Sequence, residues 1–126
     1  MNKTLIYVLL CIILIGSVNA YVPQDKQRAV EEFKEKYGFD KIIFSDDNLK
    51  ENTYAYYSYR WKHKHSIIRE EIIVYPLSQK LNIHEFKCML EHEYGHHLEA
   101  TNSKRLTKSL SESFADDYMQ SVYSVC

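Results

Sequence analysis

One stretch of this chain leaves it little freedom: Leu81-Asn82-Ile83-His84-Glu85-Phe86 is a complete helix start. Asn82 at the N-cap and Glu85 at N3 form a capping box, which satisfies two backbone N–H groups that a first turn leaves open. Leu81 and Phe86 flank the box as a hydrophobic staple. The spacing predicts a helix from Ile83 to about Ala100, with Ile83, Phe86, Leu90 and Leu98 recurring at helical intervals and Asn102-Ser103 breaking it. A loop, Thr101 to Leu106, is long enough to turn the chain and pack a last helix, from about Lys108 to Val122, against the first.

Upstream, Asp25 to Tyr37 follows Pro23 and carries Ala29, Val30, Phe33 and Tyr37 at helical spacing, with Gly38 in the C′ position. Lys41 to Ser45 reads as a short strand, with Ile42 and Phe44 on one face and Ile43 on the other. Asp46-Asp47-Asn48 is a turn cluster. Thr53 to Lys62 (rich in Tyr and Trp) and Ser66 to Tyr75 (rich in Ile and Val) read as a hairpin joined by His63-Lys64-His65. The charged triplet Arg69-Glu70-Glu71 predicts an edge position or a bulge for the second of these strands. Helix, three strands, two helices is the order of an α+β domain.

The first twenty residues read as a targeting segment. Lys3 supplies a positive start, Leu5 to Ile15 is an apolar run, and Val18 and Ala20 are small residues at the −3 and −1 positions. Leu5 to Val18 is shorter than the roughly 20 residues a spanning helix needs, so a signal peptide cleaved after Ala20 is expected. A membrane association would follow only if the segment stayed uncleaved. The remaining domain, residues 21–126, would then work as a secreted or extracytoplasmic protein. Cys88 and Cys126 are an even pair for an oxidising compartment, so a disulfide is expected, with free thiols the alternative. The net charge of −1 shows no basic excess, which argues against nucleic acid as a partner. Oligomeric state is not legible.

The helix from Ile83 contains His92-Glu93-Tyr94-Gly95-His96. Four-residue spacing puts both imidazoles on one helical face, one turn apart. Two nitrogens on a stiff helix can bind one Zn²⁺ at about 2.0–2.1 Å. Glu93 is rotated by about 100° from His92, so it reaches past such a metal rather than binding it. From there it can take a proton from the attacking water and pass it to a leaving amine, which is the mechanical content of the pattern H-E-x-x-H.

A catalytic zinc also needs a third protein ligand. A pattern with a downstream Gly and third His fails, because Glu99 and Asn102 stand at those positions. Asp116 or Asp117 would give a third-Asp site. Glu112, sixteen residues after His96, fits best. Ser109-Leu110-Ser111-Glu112 also matches a capping box, which would make Glu112 a structural N3 residue. A helix starting at Thr107 instead puts Glu112 in its second turn, free to ligate. Of the remaining histidines, His97 is expected beside the site and His84 on the surface of the first turn.

These residues resemble the gluzincin metallopeptidases, which place H-E-x-x-H on one helix and a Glu ligand on the next, often with an Asp four residues further on. Glu112 and Asp116 match that pair, and the element order across residues 21–126 is similar to the minigluzincins. The resemblance implies one Zn²⁺ on His92, His96 and Glu112, with Asp116 hydrogen-bonded behind His92. It also implies Glu93 as catalytic base of a secreted endopeptidase that hydrolyses peptide or protein substrates with metal-activated water. A zinc-binding pseudoenzyme of the same fold is one alternative, though it would not need Glu93; a dedicated regulatory metalloprotein with a single substrate is the other. Larger gluzincins supply an oxyanion donor from a downstream domain, from which this sequence departs. His63, His65, Arg105, Tyr118 and Tyr123 are the candidates for that donor. Ser66 to Tyr75, or its neighbour, is the candidate strand for pairing with an extended peptide.

Overall fold

Capping and turn chemistry set the element boundaries in this computed structural model, which describes residues 22–48, 50–62, 66–102 and 106–126. The expected signal segment, the hairpin tip at His63–His65 and Arg105 lie outside the described residues. Helix α1 spans Gln24–Tyr37 and ends on Gly38, whose φ of 62° is the left-handed conformation that favours glycine. Its buried face, Ala29, Val30 and Phe33, joins the core. Lys26 is buried on the same helix. Its ammonium donates to the carbonyls of Ser78 (3.2 Å) and Gln79 (2.7 Å) and lies 5.7 Å from the centre of the Phe86 ring. Carbonyl dipoles thus offset the cost of burying that charge.

Strands β1 (Ile42–Phe44), β2 (Ala55–Lys62) and β3 (Ser66–Val74) form one mixed sheet in the order β1-β3-β2. The second hairpin strand is therefore central, not at an edge. It runs parallel to β1 and antiparallel to β2. The reason lies in the length of β1, which pairs only with Ile72–Val74 and stops short of Arg69-Glu70-Glu71. On that side the charged triplet has solvent and side-chain partners: Lys41 lies 3.3 Å and Arg69 3.7 Å from Glu71. Beside the triplet the ladder slips, passing from Arg60↔Arg69 to Trp61↔Ile67, so the expected irregularity is present. β1 and β2 are the sheet's two edge strands, and β2, with eight residues, is the longer open edge.

A 3₁₀ helix, Pro76–Lys80, leads into helix α2, Ile83–Thr101. The capping box is fully formed: the Glu85 N–H donates to the Asn82 side chain (2.8 Å) and the Asn82 N–H to the Glu85 carboxylate (3.0 Å). Phe86, Met89 and Leu90 of α2 pack on Ile72, Val74 and Tyr57 of the sheet and on Phe33 of α1. Fully burying Phe86 and Leu90 stabilises by about 1.5–3 kcal/mol each. This is a small α+β fold, three helices with a three-stranded sheet. None of the described helices is long and apolar enough to cross a membrane.

Helix α3, Lys108–Val122, starts after Thr107, whose hydroxyl accepts from the Leu110 N–H. It rests mainly on α2, with Ala115 as its one buried residue. Cys88 of α2 and Cys126 beyond α3 are joined in a disulfide with Cα atoms 6.0 Å apart. Closing that 38-residue separation removes about 4 kcal/mol of unfolded-chain entropy. The helices meet at Gly95, where an added Cβ would stand 2.7 Å from Ala115 Cα. Gly95→Ala gains about 1 kcal/mol of helix propensity but overpacks a backbone contact at about 1–3 kcal/mol. A net loss of stability is expected in urea denaturation, and a raised midpoint would contradict this packing.

Candidate metal centre

The start of α3 at Lys108 decides how Glu112 is used. Glu112 falls in the second turn, past the cap, and its carboxylate points at α2. One oxygen lies 3.1 Å from His92 Nε2 and the other 3.3 Å from His96 Nε2. The two imidazoles, four residues apart on α2, stand edge to face with centroids 4.9 Å apart. The three ligand atoms all lie within 4.8 Å of one another. For bonds of about 2.0–2.1 Å, ligands on a tetrahedral zinc sit about 3.3 Å apart. The spacing fits.

The far side of each ring is also held. His92 Nδ1–H donates to Asp116 Oδ1 at 2.8 Å, in the position expected for that residue. His96 Nδ1–H donates to Ser111 Oγ at 3.1 Å, and the Ser111 hydroxyl in turn donates to Glu99 Oε2 at 2.5 Å. With both protons on Nδ1, each Nε2 presents a lone pair toward a carboxylate oxygen. Three acceptors facing one another are repulsive unless a positive charge lies between them, and one shared divalent cation satisfies all three. Neither Ser111 nor Glu99 stands out in the motif. Glu99 is a helical i,i+3 neighbour of His96, which is the signal that points to it, whereas Ser111 depends on how α3 is rotated.

Glu93 lines the same cleft as the three ligands, within electrostatic reach of both imidazoles, and is almost fully buried. Burial pushes its carboxyl pKa up, while the two imidazoles and a backbone hydrogen bond from Tyr57 pull it down. Tyr57 lies on β2, so the open edge of the sheet runs beside the metal candidates. Together they line a cleft of about 1080 Å³, bordered by Tyr54, Tyr56 and Tyr59 on β2 and by Met119 of α3. The Tyr75 N–H donates to the Tyr54 carbonyl across the ladder. By alternation the backbone groups of Ala55, Tyr57 and Tyr59 then face outward. β2 is thus the available strand; β3 is closed off on both sides over Ile72–Val74.

The remaining histidines and the donor candidates fall elsewhere. His97 points toward the sheet, 2.7 Å from Glu70 Oε2, against Tyr57, Phe39 and Tyr94. His84 is exposed and packs on Tyr123 at 5.8 Å. Tyr118 donates to Tyr37, which donates to the buried carboxylate of Glu91. Burial with that carboxylate nearby raises the pKa of both phenols. Neither Tyr118 nor Tyr123 lines the cleft, so of the five sequence candidates for the oxyanion donor the two within the described residues are not placed for it. Asp117 is exposed.

Comparison with protein-family models, curated proteins and solved structures returns no match for this chain. The functional reading therefore rests on its own geometry. One consequence concerns Glu93 in metal-free protein. A carboxyl whose folded pKa is raised binds its proton more tightly in the folded state, so stability falls as pH climbs from the ordinary carboxylate range through the raised value. Glu93→Gln should therefore be more resistant than wild type to unfolding at neutral pH. That advantage should shrink as the pH is lowered below the ordinary carboxylate range. Urea melts across pH on metal-free samples measure this, and an advantage that grows in acid would be the wrong sign.

Proposed function

We propose that this protein is a zinc-dependent endopeptidase working outside the cytoplasm, similar in its site to the gluzincins. The observation that carries the reading is the convergence of His92, His96 and Glu112 from two helices, with Glu93 buried beside them. A divalent cation held by those three side chains would polarise a scissile carbonyl and make water a better nucleophile near neutral pH.

The chain's own residues supply the rest. Asp116, and Ser111 backed by Glu99, hold the protons on both Nδ1 atoms and so keep the Nε2 lone pairs directed inward. Glu93 accepts a proton from the attacking water and returns it to the leaving amine. A carboxyl raised by burial suits both halves of that exchange better than a solvated one. The outward backbone groups of Ala55 and Tyr59 would pair with an extended substrate, while the Tyr57 N–H stays with Glu93. The targeting segment at residues 1–20 supports a secreted location.

Two measurements test this. Wild type and Glu93→Gln are each expected to carry one zinc per chain, with peptide cleavage lowered by about 10²–10⁴-fold or more in the variant. Equal cleavage would remove Glu93 from the chemistry, and zinc without cleavage of any peptide in a broad library would favour the non-catalytic alternative. Absence of bound zinc would end the reading. Asp116→Ala is expected to weaken zinc binding by about 10–100-fold in chelator competition, because His92 loses the partner that fixes its tautomer. Unchanged affinity would make Asp116 a bystander.

A further inference from the structure

Four residues with metal-binding side chains lie four apart along α2: His84, Cys88, His92 and His96. All four line the same cleft. The lower pair meets Glu112. The upper pair meets Cys126, and His84 Nε2, Cys88 Sγ and Cys126 Sγ lie within 4.8 Å of one another. The disulfide now occupies both sulfurs. We propose that reduction of the Cys88–Cys126 bond unmasks a second metal site, built from His84, Cys88 and Cys126, for a thiophilic divalent cation such as Zn²⁺.

Geometry and chemistry carry the idea together. His84 Nε2 lies 3.6 Å from Cys88 Sγ, close to the separation of about 3.6 Å that an imidazole and a thiolate take on one tetrahedral zinc. The i,i+4 spacing on a rigid helix is the same device that pairs His92 with His96. Only Cys126 has to move, since zinc thiolates sit about 3.8 Å apart. It is exposed and lies past the end of α3. There a turn hydrogen bond from its N–H to the Tyr123 carbonyl (3.1 Å) holds the backbone but leaves the side chain free to rotate once the disulfide is reduced. Two thiolates and an imidazole are a soft donor set that selects zinc over magnesium or calcium.

The redox step balances simply. A dithiol reductant gives two electrons and two protons to the Cys88–Cys126 bond and leaves as its own disulfide. The two thiols then lose their protons as the metal binds. Oxidised and reduced protein would differ by one metal ion at the Cys126 end of the cleft. The proposal does not depend on the zinc reading of the first centre.

Anaerobic cobalt titration tests it on the whole protein. Reduced protein is expected to bind one more equivalent than oxidised protein, with thiolate-to-cobalt charge transfer in the near ultraviolet. Cobalt on His92, His96 and Glu112 gives no such band, so the two centres report separately. Removing an outer partner already costs about 10–100-fold, so loss of a direct ligand in His84→Ala should weaken the extra equivalent by more than about 100-fold. Cys88→Ser/Cys126→Ser should lack the band and the extra equivalent while keeping helical circular dichroism. The proposal is overturned if the reduced protein shows no band, or if His84→Ala binds the extra cobalt as tightly as wild type. It is equally overturned if reduced protein loses its helical signal before cobalt binds, because the ligand spacing exists only on a folded α2.

Discussion

The contact between Gly95 and Ala115 is the constraint on which the rest depends. With no side chain at 95, the two helices approach until Ala115 Cα stands where a Cβ would collide. That approach brings the Glu112 carboxylate to both imidazole rings and Asp116 to the back of one. A helix pair held a methyl group further apart would leave the same side chains in solvent, each individually unremarkable. Helix α3 buries little of its own surface, so its position rests on this contact, on the Tyr118 packing against Tyr94, and on the disulfide at its end.

Charge is handled differently on the two faces of α2. Toward the sheet and α1, the buried Glu91 and the half-buried Glu70 are matched by specific donors: Glu91 accepts from Tyr37 and pairs with Lys36 at 3.3 Å. Glu70 accepts from Tyr57 at 2.6 Å and from His97 at 2.7 Å. These networks are complete and tie α2 to its neighbours. Toward the cleft, Glu93 and Glu112 face imidazole lone pairs with fewer donors. The cleft thus gathers the carboxylates of Glu93 and Glu112 and two imidazoles in one place. That grouping of titratable side chains, more than the presence of a motif, is what favours the cleft as the proposed site.

Much of the fold was legible locally. The capping box at Asn82 and Glu85, the stop at Gly38 and the cap at Thr107 are short-range hydrogen-bond and backbone preferences, so helix bounds followed to within a residue or two. Strand order was not. Arg69-Glu70-Glu71 signals a missing neighbour, which is true beside that triplet because β1 is short, yet β3 is central over Ile72–Val74. A local pattern reports where a strand lacks a partner and says nothing about how far its partner extends. Likewise, Tyr118 and Tyr123 carry suitable hydroxyls, but helix rotation turns them away from the cleft.

By itself, then, the sequence determined the α+β order of elements, the helical address of His92, Glu93 and His96, and the candidacy of Glu112 and Asp116. These follow from periodicity and capping, which act over a few residues. Only the tertiary structure decided that Glu112 meets both rings, that Ser111 and Glu99 support His96, and that β2 is the strand bordering the cleft. It also decided that Cys88 and Cys126 are joined. Each of those depends on how two elements distant in sequence are placed and rotated, which close packing sets and no local spacing encodes.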